Sequence, residues 1–148
     1  MITVSHSGET KASRQQLIDV VLAPELVAEI AGSKVESADP AWPQVGSTLT
    51  FKAMGMKMVA RLTEHRPDEI VMSMQTPGSP STVRHRFTAL PNGGTRMEKI
   101  VELQDGFLNR LLAALMLRRQ LKRETDKTIQ MADEVAAGRR QVSRPSAG

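Results

Sequence analysis

Residues 107–137 read FLNRLLAALMLRRQLKRETDKTIQMADEVAA and form the longest stretch of the chain without glycine or proline. Nearly every residue in it is a fair to good helix former. Gly106 precedes the stretch and Gly138 follows it, which marks both of its ends. The sequence therefore predicts one long C-terminal helix. Its apolar residues recur at helical spacing along one side, which has to pack on another layer: Phe107, Leu111, Ala114, Leu121, Ala132 and Val135.

The composition limits the class of protein. The chain has 148 residues and a formal charge of +4, which predicts one domain over residues 1–138 and a flexible basic tail over residues 139–148. It has no cysteine, which excludes disulfides, thiolate metal sites and cysteine nucleophiles. No secretory pattern opens the sequence and no apolar run approaches the roughly 18 residues of a spanning helix, so we expect a cytoplasmic protein.

The first third of the chain predicts a strand followed by two short helices. Ile2, Val4 and His6 alternate with polar residues, which is typical of a strand with one mainly apolar face. Ser13 and Gln16 have the spacing of a capping box, which indicates a helix start. Pro24 ends that helix and begins a second one, which closes before the glycine at position 32.

The middle of the chain predicts an antiparallel sheet. A weak strand covers residues 33–38, and apolar and polar residues then alternate from Gly46 to Leu103 in five further strands. The turns between the strands are short, and Asn92-Gly93 is a hairpin signal, so neighbouring strands pair antiparallel. Only the C-terminal helix is long enough to cover the apolar face of this sheet. A gap between a curved sheet and one helix is a natural cavity.

Three local motifs resemble one known superfamily. They are ASRQQLIDVVLAPE at residues 12–25, the pair Val45-Gly46, and HRFTALPNGGTRME at residues 85–98. In this order they resemble the SRPBCC superfamily of START-like, helix-grip proteins, which includes the polyketide cyclase/dehydrase and lipid-transport group. The resemblance implies an α+β fold in which a curved, seven-stranded antiparallel sheet wraps around a long C-terminal helix. Two short helices lie between strands 1 and 2.

The resemblance also implies a function. Members of the superfamily bind lipids, polyketides or other apolar molecules in a cavity between the sheet and the last helix. The expected function is therefore that of a carrier or sensor of a small hydrophobic ligand. The alternatives are a cyclase/dehydrase-type enzyme and a module that binds a protein or a membrane. Members share no single catalytic motif, so the resemblance assigns no catalytic residue, and we expect no cofactor and no metal.

Strand parity identifies the residues expected to line this cavity. Methionine is the most unusual feature of the sheet, and its flexible side chain suits a wall that adapts to a ligand, although it also fills an ordinary core. The expected ligand-binding residues come from the inner face of the sheet and from the helix above it: Phe51, Met58, Met72, Met74, His85, Phe87, Leu111, Ala114 and Leu121.

Several polar residues share the parity of the apolar face. His85 is a weak candidate for a catalytic acid or base or for a hydrogen-bond donor to a ligand, and we favour a buried histidine bonded to the backbone or to another side chain. Lys99 needs a carboxylate, water or an anionic ligand if it points inward, and we favour a bulge or the sheet rim for it. Thr125 and Thr128 are near the apolar stripe of the helix, and each offers either a hydroxyl to a ligand or simple packing. His65 lies in a predicted turn, where we expect solvent.

The first half of the C-terminal helix is apolar nearly all round and is followed by basic residues. Met116 points away from the main stripe, and Arg118, Arg119, Lys122 and Arg123 follow it. This pattern fits a homodimer or a peripheral membrane contact. The alternative is that residues 106–109 bend and that the loop after Ala53 covers the first turns of the helix, while the basic residues form a solvated helix face. No aromatic residues are interleaved with these charges, so we expect no nucleic-acid partner.

Overall fold

The computed structural model describes residues 2–53, 56–75, 80–103 and 110–142, with the side chains of residues 53 and 110–114 left out. The elements follow the predicted order of one strand, two helices, six strands and a long helix. They are β1 (Ile2–Thr10), α1 (Arg14–Leu22), α2 (Pro24–Ile30), β2 (Val35–Ala38), β3 (Thr48–Ala53), β4 (Met56–His65), β5 (Glu69–Gln75), β6 (Ser81–Ala89), β7 (Thr95–Leu103) and α3 (Arg110–Ala136).

The seven strands form one antiparallel sheet in the order β1-β7-β6-β5-β4-β3-β2. Successive strands from β2 to β7 are neighbours, as short turns require. The N-terminal strand β1 joins the far side of the sheet by pairing with β7 along its whole length, from Ile2 opposite Leu103 to Thr10 opposite Thr95. The predicted helix-grip architecture is confirmed.

Local signals explain the two short helices. The Ser13 backbone N–H donates to Gln16 Oε1 at 2.9 Å, and the Gln16 N–H donates to Ser13 Oγ at 3.2 Å, so the capping box forms as predicted. Helix α1 ends where Pro24 starts α2. Gly32 follows α2 with a φ of 73°, a conformation that favours glycine.

The two faces of the sheet differ in chemistry. The inner face carries side chains that are almost completely buried, among them Leu49, Leu62 and Met97. The outer face carries ion pairs: Arg84 binds Glu69 at 3.1 Å and Glu102 at 3.2 Å. The alternation of the sequence therefore corresponds to one face against the core and one face against solvent.

Helix α3 runs along β1 in the same direction. Near the start of the strand, Val4 and Leu121 pack in one apolar cluster. At its end, the Thr10 hydroxyl donates to Asp133 Oδ1 at 2.6 Å. Two strand residues and four helix residues advance by about the same length, roughly 6 Å, so the two elements stay in step. The first three residues of the predicted helix, 107–109, lie outside the described residues.

The residues after α3 fold back onto it. Arg140 Nε donates to Glu134 Oε2 at 2.8 Å, and Val142 packs against the main apolar core. The flexible tail from residue 139 onward stays a prediction. In the described ranges, no helix combines the length and the apolar character needed to cross a membrane.

Candidate functional site

One layer between the sheet and α3 is polar, and three neighbouring strands contribute to it. The register places His6 of β1 opposite Lys99 of β7, and Lys99 opposite His85 of β6. Side chains at directly opposed positions lie on the same face of a sheet. His6 and Lys99 each contact a carboxylate of α3, so this is the face toward the helix.

The helix supplies the other half of this layer. Leu121 packs beside Val4, and Ile129 lies beside Gly8. Residues 124–126 of α3 therefore stand at the level of His6, which lies midway between Val4 and Gly8. Six residues from the two sides make up what is here named the polar layer: His6, Lys99, His85, Glu124, Thr125 and Asp126.

Exposure falls along the polar layer from the β1 edge inward. His6 Nε2 lies 3.5 Å from Asp126 Oδ1, and these side chains are 32% and 58% exposed. Lys99 Nζ lies 3.7 Å from Glu124 Oε2, with exposures of 12% and 17%. His85 and Thr125 are buried. The layer thus begins at solvent and ends inside the core.

Two polar atoms at the inner end of the layer are buried without a hydrogen-bond partner in the part of the chain that the structure describes. They are His85 Nδ1 and Thr125 Oγ1. Thr128, one turn nearer the C-terminus, is equally buried, but its hydroxyl donates to the Glu124 carbonyl at 2.8 Å. An unpaired buried polar group costs about 1–3 kcal/mol, so two of them in one layer require an explanation.

The environment of His85 determines its charge. Burial and the nearby Lys99 ammonium lower the pKa of His85 well below its ordinary value of 6.5. The imidazole is therefore neutral at neutral pH, with one nitrogen that donates and one that accepts. Such a group can accept a proton or a hydrogen bond, but it does not supply a positive charge.

The structure brings most of the expected ligand-binding residues together. Phe51, Met72 and Phe87 are buried in the main core, and Met58 and Met74 pack against the same cluster. The His85 ring stacks on Phe87 with centroids 6.4 Å apart.

Leu121 belongs instead to a second cluster, with Val4 and Val101. Leu111 and Ala114 are part of α3, but their side chains lie outside the described residues. The structure therefore separates Leu121 from the methionine-lined wall. The predicted cavity itself stays a prediction.

The expectation for Lys99 was wrong. The pairing of β6 with β7 is continuous through Lys99, so no bulge turns the side chain away, and the ammonium meets Glu124 between sheet and helix. Glu124 was missed by the sequence reasoning. Its signal was its place three residues after Leu121 and four before Thr128, which puts it beside the apolar stripe. His65 is exposed, as predicted.

The outward side of α3 forms a second candidate surface. Leu115 and Met116 are 49% and 64% exposed, which is unusual for large apolar side chains so close together. Beyond them, an open depression of about 480 Å³ is lined by Arg119, Lys122, Arg123, Asp126, Lys127 and Gln130. Together these eight residues are named the basic helix surface. Among the described residues, no group of histidines and carboxylates is placed to hold a metal ion.

The sequence matches no protein-family model and no curated protein. Solved structures, however, share its fold over nearly their whole length. Protein MLL2253 from Mesorhizobium loti has a TM-score of 0.74 at 16% identity, covering 90% of this chain and 98% of its own. The Aha1 dimer from Colwellia psychrerythraea has a TM-score of 0.68 at 13% sequence identity, and the match covers 95% of this chain and 100% of the Aha1 chain. PFC0360w, an HSP90 activator from Plasmodium falciparum, has a TM-score of 0.64 at 16% sequence identity, and the match covers 93% of this chain and 97% of the PFC0360w chain.

At these identities the likeness concerns the fold. The common architecture is the curved antiparallel sheet closed by a long C-terminal helix, with two short helices after the first strand. The chain thus has the helix-grip architecture, which it shares with these solved structures.

Proposed function

We propose that this protein binds a small, largely apolar molecule between its sheet and α3, as a carrier or a sensor. The observation that carries the proposal is that, among the described residues, His85 Nδ1 and Thr125 Oγ1 are buried in the polar layer without a hydrogen-bond partner. A core that served only stability would pair these atoms or replace them by apolar groups of the same shape. A ligand that supplies the missing partners accounts for keeping them.

The apolar surroundings support the same proposal. Met58 and Met74 are only partly buried where they pack against the main core, and Met72 is buried in it. Because methionine has three rotatable bonds, such a wall can repack around an incoming molecule. A cavity that opens on binding follows from this adaptability.

Native mass spectrometry of the protein purified from its own host tests this function. We expect a molecule of defined mass to remain bound in the gas phase and to be lost on denaturation. A mass equal to the bare chain, together with no binding of apolar fluorescent probes, would contradict the proposal.

An enzyme of the cyclase/dehydrase kind is the alternative for the same site. In that reading, the neutral His85 imidazole has a nitrogen that can accept a proton, although burial and Lys99 lower its pKa and make it a weak base. His85→Gln separates the two functions: loss of turnover with retained ligand binding supports catalysis, whereas turnover that survives the substitution removes His85 from that role.

A second candidate function concerns the basic helix surface. Exposed Leu115 and Met116 beside Arg119, Lys122 and Arg123 have the chemistry of a peripheral contact with an acidic membrane. A homodimer through α3 is the other occupant, and an Aha1 of the same fold was solved as a dimer.

Cosedimentation with phosphatidylserine vesicles tests the membrane contact. We expect binding that weakens as salt is raised and that is lost in Met116→Ser combined with Lys122→Glu. The control is Lys52→Glu, which makes the same charge change at an exposed position in β3, outside the basic helix surface. Vesicle binding that does not change with salt or with the α3 substitutions counts against the membrane contact. A dimer that forms as the protein concentration is raised supports the homodimer through α3.

A further inference from the structure

We propose that the ligand carries a neutral hydroxyl group, and that this hydroxyl lies in the polar layer between His85 and Thr125. The inference rests on the proposed function, since it names the chemistry of a ligand bound between sheet and helix. Three properties of the layer support it: the depth of the two residues, their hydrogen-bonding capacity and the charge balance around them.

Depth comes first. Thr125 is 0% exposed and His85 is 6% exposed, whereas the outer pair of the layer is open to solvent. A ligand group that reaches these two residues leaves bulk water behind, and the layer's own atoms must replace its hydrogen bonds. Selection by the layer is therefore strong, because a mismatched group loses hydrogen bonds without compensation.

The hydrogen-bonding capacity specifies the group. A threonine hydroxyl donates one hydrogen bond and accepts others, and the unpaired Nδ1 of a neutral imidazole either donates or accepts according to its tautomer. A ligand hydroxyl complements either tautomer, because it donates to one partner while it accepts from the other. A ligand carbonyl can only accept, and a methyl group leaves both protein atoms unpaired.

The charge balance excludes ions. The Lys99 ammonium already has the Glu124 carboxylate at 3.7 Å, and His85 is neutral, so the inner part of the layer has no net charge to offset. A ligand carboxylate would add a negative charge next to Glu124, with Asp126 nearby. A ligand cation would face Lys99. A neutral head group avoids both costs of burying unpaired charge.

The flanks of the layer accommodate the rest of the molecule. On one side lie Val4, Val101 and Leu121, and on the other lie Phe87 and Met97. These side chains offer no hydrogen bonds. The ligand is therefore an apolar framework with a hydroxyl at one position.

Matched probes test the inference. The first set is 1-naphthol, 1-methylnaphthalene and 1-naphthoate, and the second is 1-decanol, undecane and undecanoate, so that each set keeps one framework and changes one group. Dissociation constants come from titrations followed by NMR, with the His85 ring nitrogens observed directly. We expect the hydroxyl probe of at least one set to bind roughly tenfold more tightly than its methyl counterpart, and to shift the Nδ1 signal.

Isosteric variants assign the effect to the layer. Thr125→Val should abolish the preference for the hydroxyl and leave binding of the methyl probe unchanged, and Thr125→Ser should restore the preference. Thr128→Val is the matched control, because that buried hydroxyl already has a partner within α3. Without ligand, Thr125→Val should not lower the melting temperature, since the hydroxyl has no hydrogen bond to lose.

The outcomes separate this inference from the proposed function. Equal binding of hydroxyl and methyl probes, or a preference that survives Thr125→Val, overturns the hydroxyl inference and leaves apolar ligand binding standing. Tighter binding of the carboxylates, lost in Lys99→Met, overturns it in favour of an anionic ligand. If no probe binds and no molecule co-purifies, both fail together.

Discussion

At the scale of single residues, His85 makes the stability of the folded protein depend on pH. Its pKa lies well below 6.5 in the folded protein because burial and Lys99 disfavour the imidazolium. Between that lowered pKa and about 6.5, the unfolded chain binds a proton at His85 and the folded protein does not. The free energy of unfolding must therefore rise with pH through this interval.

We expect the contribution of His85 to this rise to reach at most about 1.4 kcal/mol per pH unit. Urea unfolding of the wild type and of His85→Gln, measured from pH 4 to 8, isolates it from the contributions of the other ionisable groups of the polar layer, which are His6, Lys99, Glu124 and Asp126. The substitution should flatten the curve below pH 6.5. His65→Gln is the control, because His65 is exposed. Parallel curves for the wild type and His85→Gln would contradict the assignment.

The Lys99–Glu124 pair tests how dry the polar layer is. Removing one partner of a mostly buried ion pair leaves the other charge uncompensated, so we expect Lys99→Met to lower the free energy of unfolding by about 3 kcal/mol. The double variant Lys99→Met with Glu124→Leu should recover most of this loss.

The exposed pair of Lys52 and Glu36, at 3.4 Å, is the comparison. Lys52→Met should change stability by no more than about 1 kcal/mol, because solvent screens surface pairs. Equal losses for Lys99→Met and Lys52→Met would mean that water fills the layer.

At the scale of elements, the close packing of α3 on β1 determines the distance between the helix and the sheet at the polar layer. Gly8 makes this approach possible: a Cβ at this position would lie 3.0 Å from Ile129 Cγ1. Because Gly8 has no side chain, α3 can approach β1 closely two residues after His6. The contacts of His6 and Lys99 with helix carboxylates depend on that distance.

We expect Gly8→Val to lower the free energy of unfolding by about 1–3 kcal/mol through overpacking. Combining it with Ile129→Ala should recover part of the loss, since the smaller residue frees the space. Thermal unfolding of the two single variants and the double variant measures this coupling. Ser5→Val, at an exposed position of the same strand, is the control. Strictly additive losses at positions 8 and 129 would show that the two residues do not share the space.

At the scale of the whole molecule, the sequence predicted the architecture because each signal was local. The capping box at Ser13, the alternation through β3 to β7 and the helical stripe of α3 each depend on neighbours within a few residues. Strand parity also put His85 on the correct face. These local signals together determine which faces are buried, and burial determines the fold class.

The site was predicted less completely because it depends on contacts between distant parts of the chain. Lys99 alone reads as a cation too costly to bury, and only the register with α3 brings Glu124 to it. Thr125 was recognised as lying near the stripe, but its missing partner is visible only in three dimensions. Likewise, Trp42 lies in the connection between β2 and β3, yet it is buried and donates its indole N–H to the Leu22 carbonyl at 2.8 Å.

The pairing of the first strand with the last has a consequence for synthesis. As the chain leaves the ribosome, β2 to β5 can form successive hairpins, but β1 lacks its neighbour until residues 95–103 have emerged. Thr10 and Asp133, which join strand to helix, are 123 residues apart in the chain. Such long-range contacts form late and slowly. The polar layer needs β1, β7 and α3 at once, so it can be completed only after nearly the whole chain has emerged.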